Sequence, residues 1–586
     1  MNHYSPCIFQ LRSRIKILVM VIVACLFSAH AADRETTRDQ RMETWREGRF
    51  GMFIHWGPYA VAAGEYQGKA VPHIGEWILR NAKIPLAEYE KIALEWKAEK
   101  YDAAQWVDFA KRCGVRYMVV TAKHHDGFAL FDSQVSPWNA VKASGAKRDL
   151  LRPLVTACAE KGMPLGFHYS QAQDWYHPGG GVYGKRWDAR QEGDFDAFLR
   201  DVSLPQLREL VQGYGPVHAI FADTPFNMTE QRARQFHEAL PAGTVVNDRM
   251  GGGVADYWCM EEFYTNRRRK SGDWEFCTTM NGTWGYKMEP TPWKEKELLL
   301  RYLISTVAGG GNFLLNVGPL ADGTFPPQAV ERLEYIGQWL ARHGESIYGA
   351  GECPLVVPSW DGVCSLRVDE AGDSHVYLHF FQSPENRVIR LPRMVSGWQS
   401  ARVMGREGEL GLVKTPRAWE LTLPEGAVQP FSVIHLHAKG ALKLERPAVG
   451  WDEAGKLRLD VMSAQLHGKT ITRERDPLSP AMNIGYWTDA ADSVSWAMEL
   501  PEKVKVKTHW QIACEPASAG AEVALCAGDK ELARWTVPAT KAWRDYQMVD
   551  GPAVELPAGK YELTLKVLGK PGLGVMNLRE VVMERE

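Results

Sequence analysis

The sequence predicts a (β/α)8-like barrel followed by a β-sandwich and a C-terminal jelly roll, an α/β plus all-β chain, and three observations lead there. From Phe50 to about Gly344 short apolar runs alternate with amphipathic helical segments, the pattern of repeated βα units. Beyond Gly344 the helical period disappears, and short alternating strands such as HVYLHFF and FSVIHLH take over. A chain of 586 residues with 45% apolar content also exceeds one core and calls for two or three domains.

The first 31 residues combine Arg12, Arg14 and Lys16 with an apolar run from Ile17 to Phe27 and the small-residue ending Ala29-His30-Ala31. This reads as a secretory leader cleaved after Ala31, and it implies a secreted or periplasmic protein. A competing reading takes Ile22-Val23-Ala24-Cys25 as a lipobox that leaves a lipid-anchored Cys25. No other stretch reaches the roughly 18 apolar residues that span a bilayer.

The barrel is expected over 32–347. FGMFIHWG, from Phe50, is its first strand. DAAQWVDFAKRCGV is a helix that buries Trp106, Phe109, Ala110 and Cys113 and stops at Gly114. Val115 to Thr121, PLGFHYS, VVNDR and NFLLNVGP supply further strands, with DLLRPLVTACAEKGM as a helix between two of them. Pro216 to Phe226, PVHAIFADTPF, is a buried strand that delivers the carboxylate of Asp223 to its C-terminal end, where a barrel keeps its active site. A β-sandwich is expected over 348–440, and over 441–586 a jelly roll that resembles a carbohydrate-binding module. In that last block Trp487 and Trp496 are candidates for stacking on sugar.

A net charge of −2 gives no electrostatic footprint for nucleic acid. Eight cysteines follow the leader without paired CxxC or Cys/His zinc spacing. Cys353 with Cys364, and Cys514 with Cys526, are spaced for hairpin-scale disulfides, with free buried thiols as the alternative. The 22 Trp and 20 Tyr offer flat surfaces on which sugar rings stack.

The strand ends gather His55 and Trp56, Glu76 and Trp77, His124 and His125, Tyr169, Asp223, Asn247 to Arg249, and Trp284 to Tyr286. These groups hydrogen-bond and stack around one central carboxylate. A metal could use the three histidines, but His124 and His125 are adjacent, and on a strand they would face opposite ways. Sugar hydroxyls are the better account, with no metal and no cofactor expected.

FGMFIHWG, EW, AKHHDGF, the Asp-bearing strand, VVNDR, WEFCTTMNGTWGY and AGGGNFLLNVGPLADG resemble, in this order over about residues 40 to 345, the α-L-fucosidases of glycoside hydrolase family 29. The resemblance implies a retaining exo-hydrolase that removes terminal α-L-fucose from fucosylated oligosaccharide or polysaccharide. It makes Asp223 the nucleophile and lines the fucose pocket with His55, Glu76, Trp77, His124, His125, Tyr169, Arg249 and Trp284. Phe221-Ala222 stands where the family usually has Trp-Asn or Trp-Phe, and Thr224-Pro225 is also unusual.

The family's acid/base varies in position. DYWCMEEFY offers Glu261 by counting from Asp256 and Glu262 by another branch's alignment, and Glu275 is a third candidate. Retention requires two carboxyls about 5 to 5.5 Å apart, one of them protonated. An α-L-galactosidase, or a sugar-binding protein without catalysis, are the alternatives on the same scaffold. The run Arg267-Arg268-Arg269-Lys270 would draw sulfated or sialylated substrates if it lies on the active-site face.

Overall fold

The computed structural model describes residues 39–586, apart from 262–271, 289–291, 356–359, 393, 395–396, 416–417, 444, 446–447, 453, 462 and 476–481. The leader with Cys25, Glu262 and the cations from Arg267 to Lys270 therefore lie outside the described residues. The chain divides into two compact units, one ending at Glu352 and one spanning Cys353–Glu586.

The first unit is built on eight parallel strands: β1 (Phe50–Ile54), β2 (Tyr117–Lys123), β3 (Leu165–Tyr169), β4 (Ala219–Ala222), β5 (Val245–Val246), β6 (Trp258–Glu261), β7 (Trp274–Thr278) and β8 (Asn312–Val317). Their order is β5-β4-β3-β2-β1-β8-β7-β6, and a bridge between Asn247 and Tyr257 joins the two ends into a barrel. Every residue of β1, β2, β3, β7 and β8 is buried. A strand covered by helices on one face and by the barrel interior on the other has no polar face to show.

Interior layers are filled by Phe53, Tyr117, Val119, Phe221, Cys277 and Leu314. Gly51 makes room for them: a Cβ there would lie 2.4 Å from Cζ of Tyr117 and 2.8 Å from Cδ1 of Leu314.

Helices α1 (Leu86–Glu95), α2 (Ala103–Arg112), α3 (Arg152–Glu160), α4 (Leu204–Gly213), α5 (Glu230–Glu238), α6 (Lys296–Ala308) and α7 (Pro327–His343) pack outside. Helix α2 follows its sequence closely. Asp102 caps it by accepting from Gln105 N at 3.0 Å, and Trp106, Val107, Phe109 and Ala110 are its buried face. Gly114, at φ +81°, turns the chain away.

The run from Pro216 to Phe226 contributes only four strand residues. Beyond Ala222 the backbone stops pairing: Asp223 N donates to the Gln171 side chain at 3.1 Å, and Thr224 takes a left-handed φ of +49°.

In the second unit one sheet orders strands Gly362–Val368, Ser374–Phe380, Val433–Ala438 and Ser400–Val403, and a three-stranded sheet orders Val388–Leu391, Trp419–Thr422 and Gly411–Lys414. Their inner residues, among them Val376, Leu378, Ile389, Leu421 and Ile434, share one core. Farther along, a sheet centred on Asn577–Arg585 and Val504–Ala513 encloses a second core with a sheet centred on Ser493–Leu500 and Gly559–Gly569. Trp487 and Trp496, each 1% exposed, belong to that core, so neither presents a face for stacking on sugar. All eight cysteines of the described residues are free thiols. Among the described residues no helix is long and apolar enough to cross a membrane.

Candidate active site

The C-terminal ends of the barrel strands surround a cleft of about 590 Å³, lined among others by His55, Glu76, Trp77, His124, His125, Asp223, Arg249, Glu261 and Trp284. Asp223 follows β4 directly. Because side chains alternate along a strand, Phe221 and Asp223 both face the cleft while Ala222 does not. Oδ1 of Asp223 accepts from Nη1 of Arg249 at 2.8 Å and from Thr224 N at 2.8 Å. Oδ2 lies 3.2 Å from Nε2 of His125 and 3.4 Å from Nε2 of His168. Burial by itself would raise the Asp223 pKa, but the Arg249 guanidinium and the hydrogen bonds from His125 and His168 outweigh it and hold the carboxyl well below its ordinary value.

Arg249 comes from the turn after β5, and its fork takes two carboxylates: Nη1 binds Asp223, and Nη2 binds Oε1 of Glu261 at the end of β6. One guanidinium thus sets the spacing of the two acids. Such a partner suits a carboxylate rather than a carboxylic acid.

Burial pulls the pKa of His55 and His124 well below 6.5 and also lowers His125, which keeps these rings neutral near pH 7. Nδ1 of His55 lies 2.7 Å from Oδ1 of Asn316, and the Asn316 amide nitrogen donates to Trp284 O at 2.7 Å. The Asn316 oxygen is therefore the acceptor, Nδ1 of His55 carries the proton, and Nε2 is left as an acceptor.

Glu76 is 1% exposed. Burial raises its pKa to about 7 against hydrogen bonds from the Gly285 and Trp284 amides and the Thr283 hydroxyl. Those three donors reach Oε2 at 2.8, 3.2 and 3.4 Å, whereas Oε1 has no protein partner. Gly285 permits this approach, since a Cβ there would lie 3.0 Å from Glu76 Cβ. Nδ1 of His124 is likewise buried without a protein partner. Phe53, Phe221 and Trp284 form an apolar wall, with the Phe53 ring 4.8 Å from Phe221 and 5.8 Å from Trp284.

Three readings from sequence change here. Tyr169 does not reach the cleft: it is fully buried, donates to Ser203 O at 2.6 Å and carries the Lys123 ammonium 4.8 Å from its ring centre. Its neighbour His168 faces the cleft instead, as alternation along β3 requires. Glu275 pairs in register with Asn312, the first residue of β8, so it lies at the opposite end of the barrel. It accepts from the Tyr117 hydroxyl at 2.7 Å, and burial pushes it to about 7.

His124 and His125 lie just past the end of β2, where strand alternation no longer applies, and both line the cleft with ring centres 4.3 Å apart. The argument that set them on opposite faces therefore fails. His55, His124 and His168, and likewise His124, His125 and Asp223, bring potential ligand atoms within 4.8 Å of one another, so these donors could hold a metal ion as well as sugar hydroxyls.

Sequence reasoning missed His168 and Asn316, and also Tyr183 and Cys259, which line the cleft. The alternation in PLGFHYS was the available signal for the first, and the NFLLNVGP strand end for the second. Nothing in the sequence pointed to Tyr183 or Cys259.

A family model described as alpha-L-fucosidase matches residues 26–345. The tissue alpha-L-fucosidase of Rattus norvegicus is 31% identical over 405 residues, 65% of this chain and 85% of the relative. The plasma alpha-L-fucosidase of Homo sapiens is 32% identical over 350 residues, 55% of this chain and 73% of the relative. The crystal structure of an alpha-L-fucosidase from Vibrio sp. strain EJY3 covers 93% of this chain and 98% of its own at 25% identity, with a TM-score of 0.67. A family 29 alpha-L-fucosidase from Bacteroides thetaiotaomicron, solved as a trapped covalent intermediate with 2-fluoro-fucosyl fluoride, covers 68% and 95% at 26% identity, with a TM-score of 0.60. With the barrel, the cleft at its strand ends and these relatives in agreement, the chain belongs to the α-L-fucosidases of glycoside hydrolase family 29 and is a hydrolase.

Proposed function

We propose that the protein is a secreted, retaining exo-α-L-fucosidase that acts on fucosylated glycans, with Asp223 as nucleophile. The observation that carries this reading is Asp223 itself: a carboxylate at a barrel strand end, kept ionised by Arg249 and facing the buried rings of His55, His124, His125 and His168. Fucose suits the remainder of the cleft. Its C6 methyl matches the wall of Phe53, Phe221 and Trp284, while its three ring hydroxyls meet Glu76 Oε1, His124 Nδ1 and His55 Nε2, polar atoms with capacity to spare.

In the first step an Asp223 oxygen bonds to the anomeric carbon as the bond to the leaving oxygen breaks. The electron pair departs with that oxygen, which takes a proton from the acid. In the second, the same residue as carboxylate removes a proton from water. The water oxygen attacks the anomeric carbon and releases Asp223, so two inversions give net retention. Glu261 is the candidate acid/base within the described residues, and Glu262 is the alternative. Glu261 must part from Arg249 to carry the proton it gives in the first step, and once Asp223 is esterified the loss of its charge favours Glu261 as the carboxylate that the second step needs. The covalent intermediate trapped in the Bacteroides thetaiotaomicron relative supports the two-step scheme.

Proton NMR of the first-formed sugar during hydrolysis of an aryl α-L-fucoside tests the reading. The α-anomer should appear first; initial release of the β-anomer rejects retention.

A further inference from the structure

We infer that the C-terminal all-β region carries a glycan-binding site of its own, for a neutral pyranose residue. A pocket of about 330 Å³ opens where three loops meet: the one after Met482–Gly485, the one before Gln547–Asp550 and the one before Asn577–Arg585. Its floor is polar. Glu474 and Asn483 are register partners on adjacent strands, and the Asn483 amide donates to Oε2 of Glu474 at 2.9 Å. Asn577 meets them over Gly485, where a Cβ would lie 1.8 Å from Oε2 of Glu474, 2.7 Å from Oδ1 of Asn577 and 2.8 Å from Nδ2 of Asn483. The glycine lets a carboxylate and two carboxamides crowd together with capacity left for a ligand.

The walls are aromatic. Trp543 is fixed by the Asn577 amide, which donates to its carbonyl at 2.8 Å. Tyr486 stands on the lip, 40% exposed and in a left-handed conformation with φ +48°. A non-glycine residue held there is strained, and such strain gathers at ligand sites. Leu573, at 79% exposure the most exposed large apolar side chain among the described residues, completes the rim, its loop tied down by Lys570 Nζ donating to Gly572 O and Leu573 O.

This combination selects the ligand. An apolar compound would bury the floor groups unpaired, at a cost of about 1 to 3 kcal/mol each. A simple ion has no use for two aromatic faces. A pyranose ring presents C–H groups to the rings and hydroxyls to the floor, and the opposite charges of Glu474 and Arg544, which both line the pocket, leave no net charge to recruit an ionic sugar. The pocket has room for one or two rings. Trp487 also lines the pocket but is 1% exposed, so the faces that reach solvent come from its neighbours.

The test uses the full-length protein and saturation-transfer NMR with methyl glycosides of galactose, glucose, mannose and glucuronic acid, none of them a fucoside. At least one neutral glycoside should bind. Glu474→Gln, which removes charge at constant shape, and Tyr486→Gly, which removes the ring and relieves φ, should each weaken that binding at least about tenfold, with hydrolysis of an aryl fucoside unchanged. Should Tyr486→Gly fold poorly, Glu474→Gln alone decides. Absence of any neutral ligand, affinity unchanged in the variants, or preference for the glucuronide overturns the proposal. Hydrolysis is measured separately, so a failed fucosidase reading shows as lost activity on aryl fucosides and not as lost glycoside binding.

Discussion

Asp223 and Arg249 act as one unit, and their substitutions should show it. Asp223→Gly removes the proposed nucleophile and should lower kcat by at least about 1000-fold; a variant with a tenth of the activity would strip Asp223 of that role. Arg249→Lys keeps one charge but cannot fork between Asp223 and Glu261, so kcat/KM should fall about 10- to 100-fold. Its pH profile is the sharper readout. Arg249 holds the Asp223 pKa down, so a poorer cation lets it rise, and the acid limb of kcat/KM should move to higher pH. An unmoved limb would mean that Arg249 only positions substrate. Between the acid candidates, the correct alanine variant should be slow on poor leaving groups, nearly normal on an activated aryl fucoside, and rescued by azide with retention. That signature in Glu262→Ala rather than Glu261→Ala would move the role. At this scale the sequence was informative where a motif marked a strand end, as with His55 and Asp223, whereas Glu76 reaches the cleft from a short 3-10 turn, Gly75–Trp77, between the first two barrel strands. It misled where one step along a strand decides the face, as with Tyr169 and His168.

Elements explain both outcomes. Strand alternation places Phe221 on the same face as Asp223, and so an aromatic ring still lines the cleft although the dipeptide before Asp223 departs from the family's usual one. The same alternation turns Tyr169 outward to brace the segment carrying Ser203, and this gives a testable contrast. Tyr169→Phe should leave KM for an aryl fucoside within about twofold and cost about 1 kcal/mol of stability, read as a Tm lower by a few degrees, because it removes the hydrogen bond from the Tyr169 hydroxyl to the Ser203 carbonyl. A large KM effect without loss of stability would return Tyr169 to the pocket. Buried barrel strands were easy to read because both their faces are apolar. Short elements such as β5 were not, since two paired residues leave no period to detect. Trp487 and Trp496 mislead for a related reason: composition counts aromatics, but only packing tells which are core.

For the whole molecule, the region after residue 352 forms one compact unit that holds two separate hydrophobic cores. The barrel unit has its own dependence on pH. Burial raises Glu76, Asp126 and Glu275 to about 7 from 4.5, 3.8 and 4.5. A carboxyl whose folded pKa is raised binds its proton more tightly in the folded state. Its contribution is complete below the unfolded pKa and is lost as pH climbs to the folded one, a window of about pH 4 to 7. Asp223 and Asp174 work the other way. Burial is outweighed at Asp174 by His177 and Lys123, and the stability these two carboxyls add disappears as pH falls through about 4 and below. The raised carboxyls therefore add a decline toward neutral pH, and the buried neutral rings of His55, His124 and His125 oppose it, because protons that only the unfolded chain binds cost stability as pH falls below 6.5. Glu275 isolates one part of that decline, since it lies away from the cleft with Tyr117. Glu275→Gln keeps an acceptor for the Tyr117 hydroxyl and cannot ionise. It should match the wild type at pH 5 and exceed it at pH 8 by on the order of 3 kcal/mol, with hydrolysis unchanged. Denaturant unfolding at the two pH values measures this: equal decline in both proteins would show that Glu275 is not its source, and lost activity with azide rescue would make Glu275 the acid/base after all.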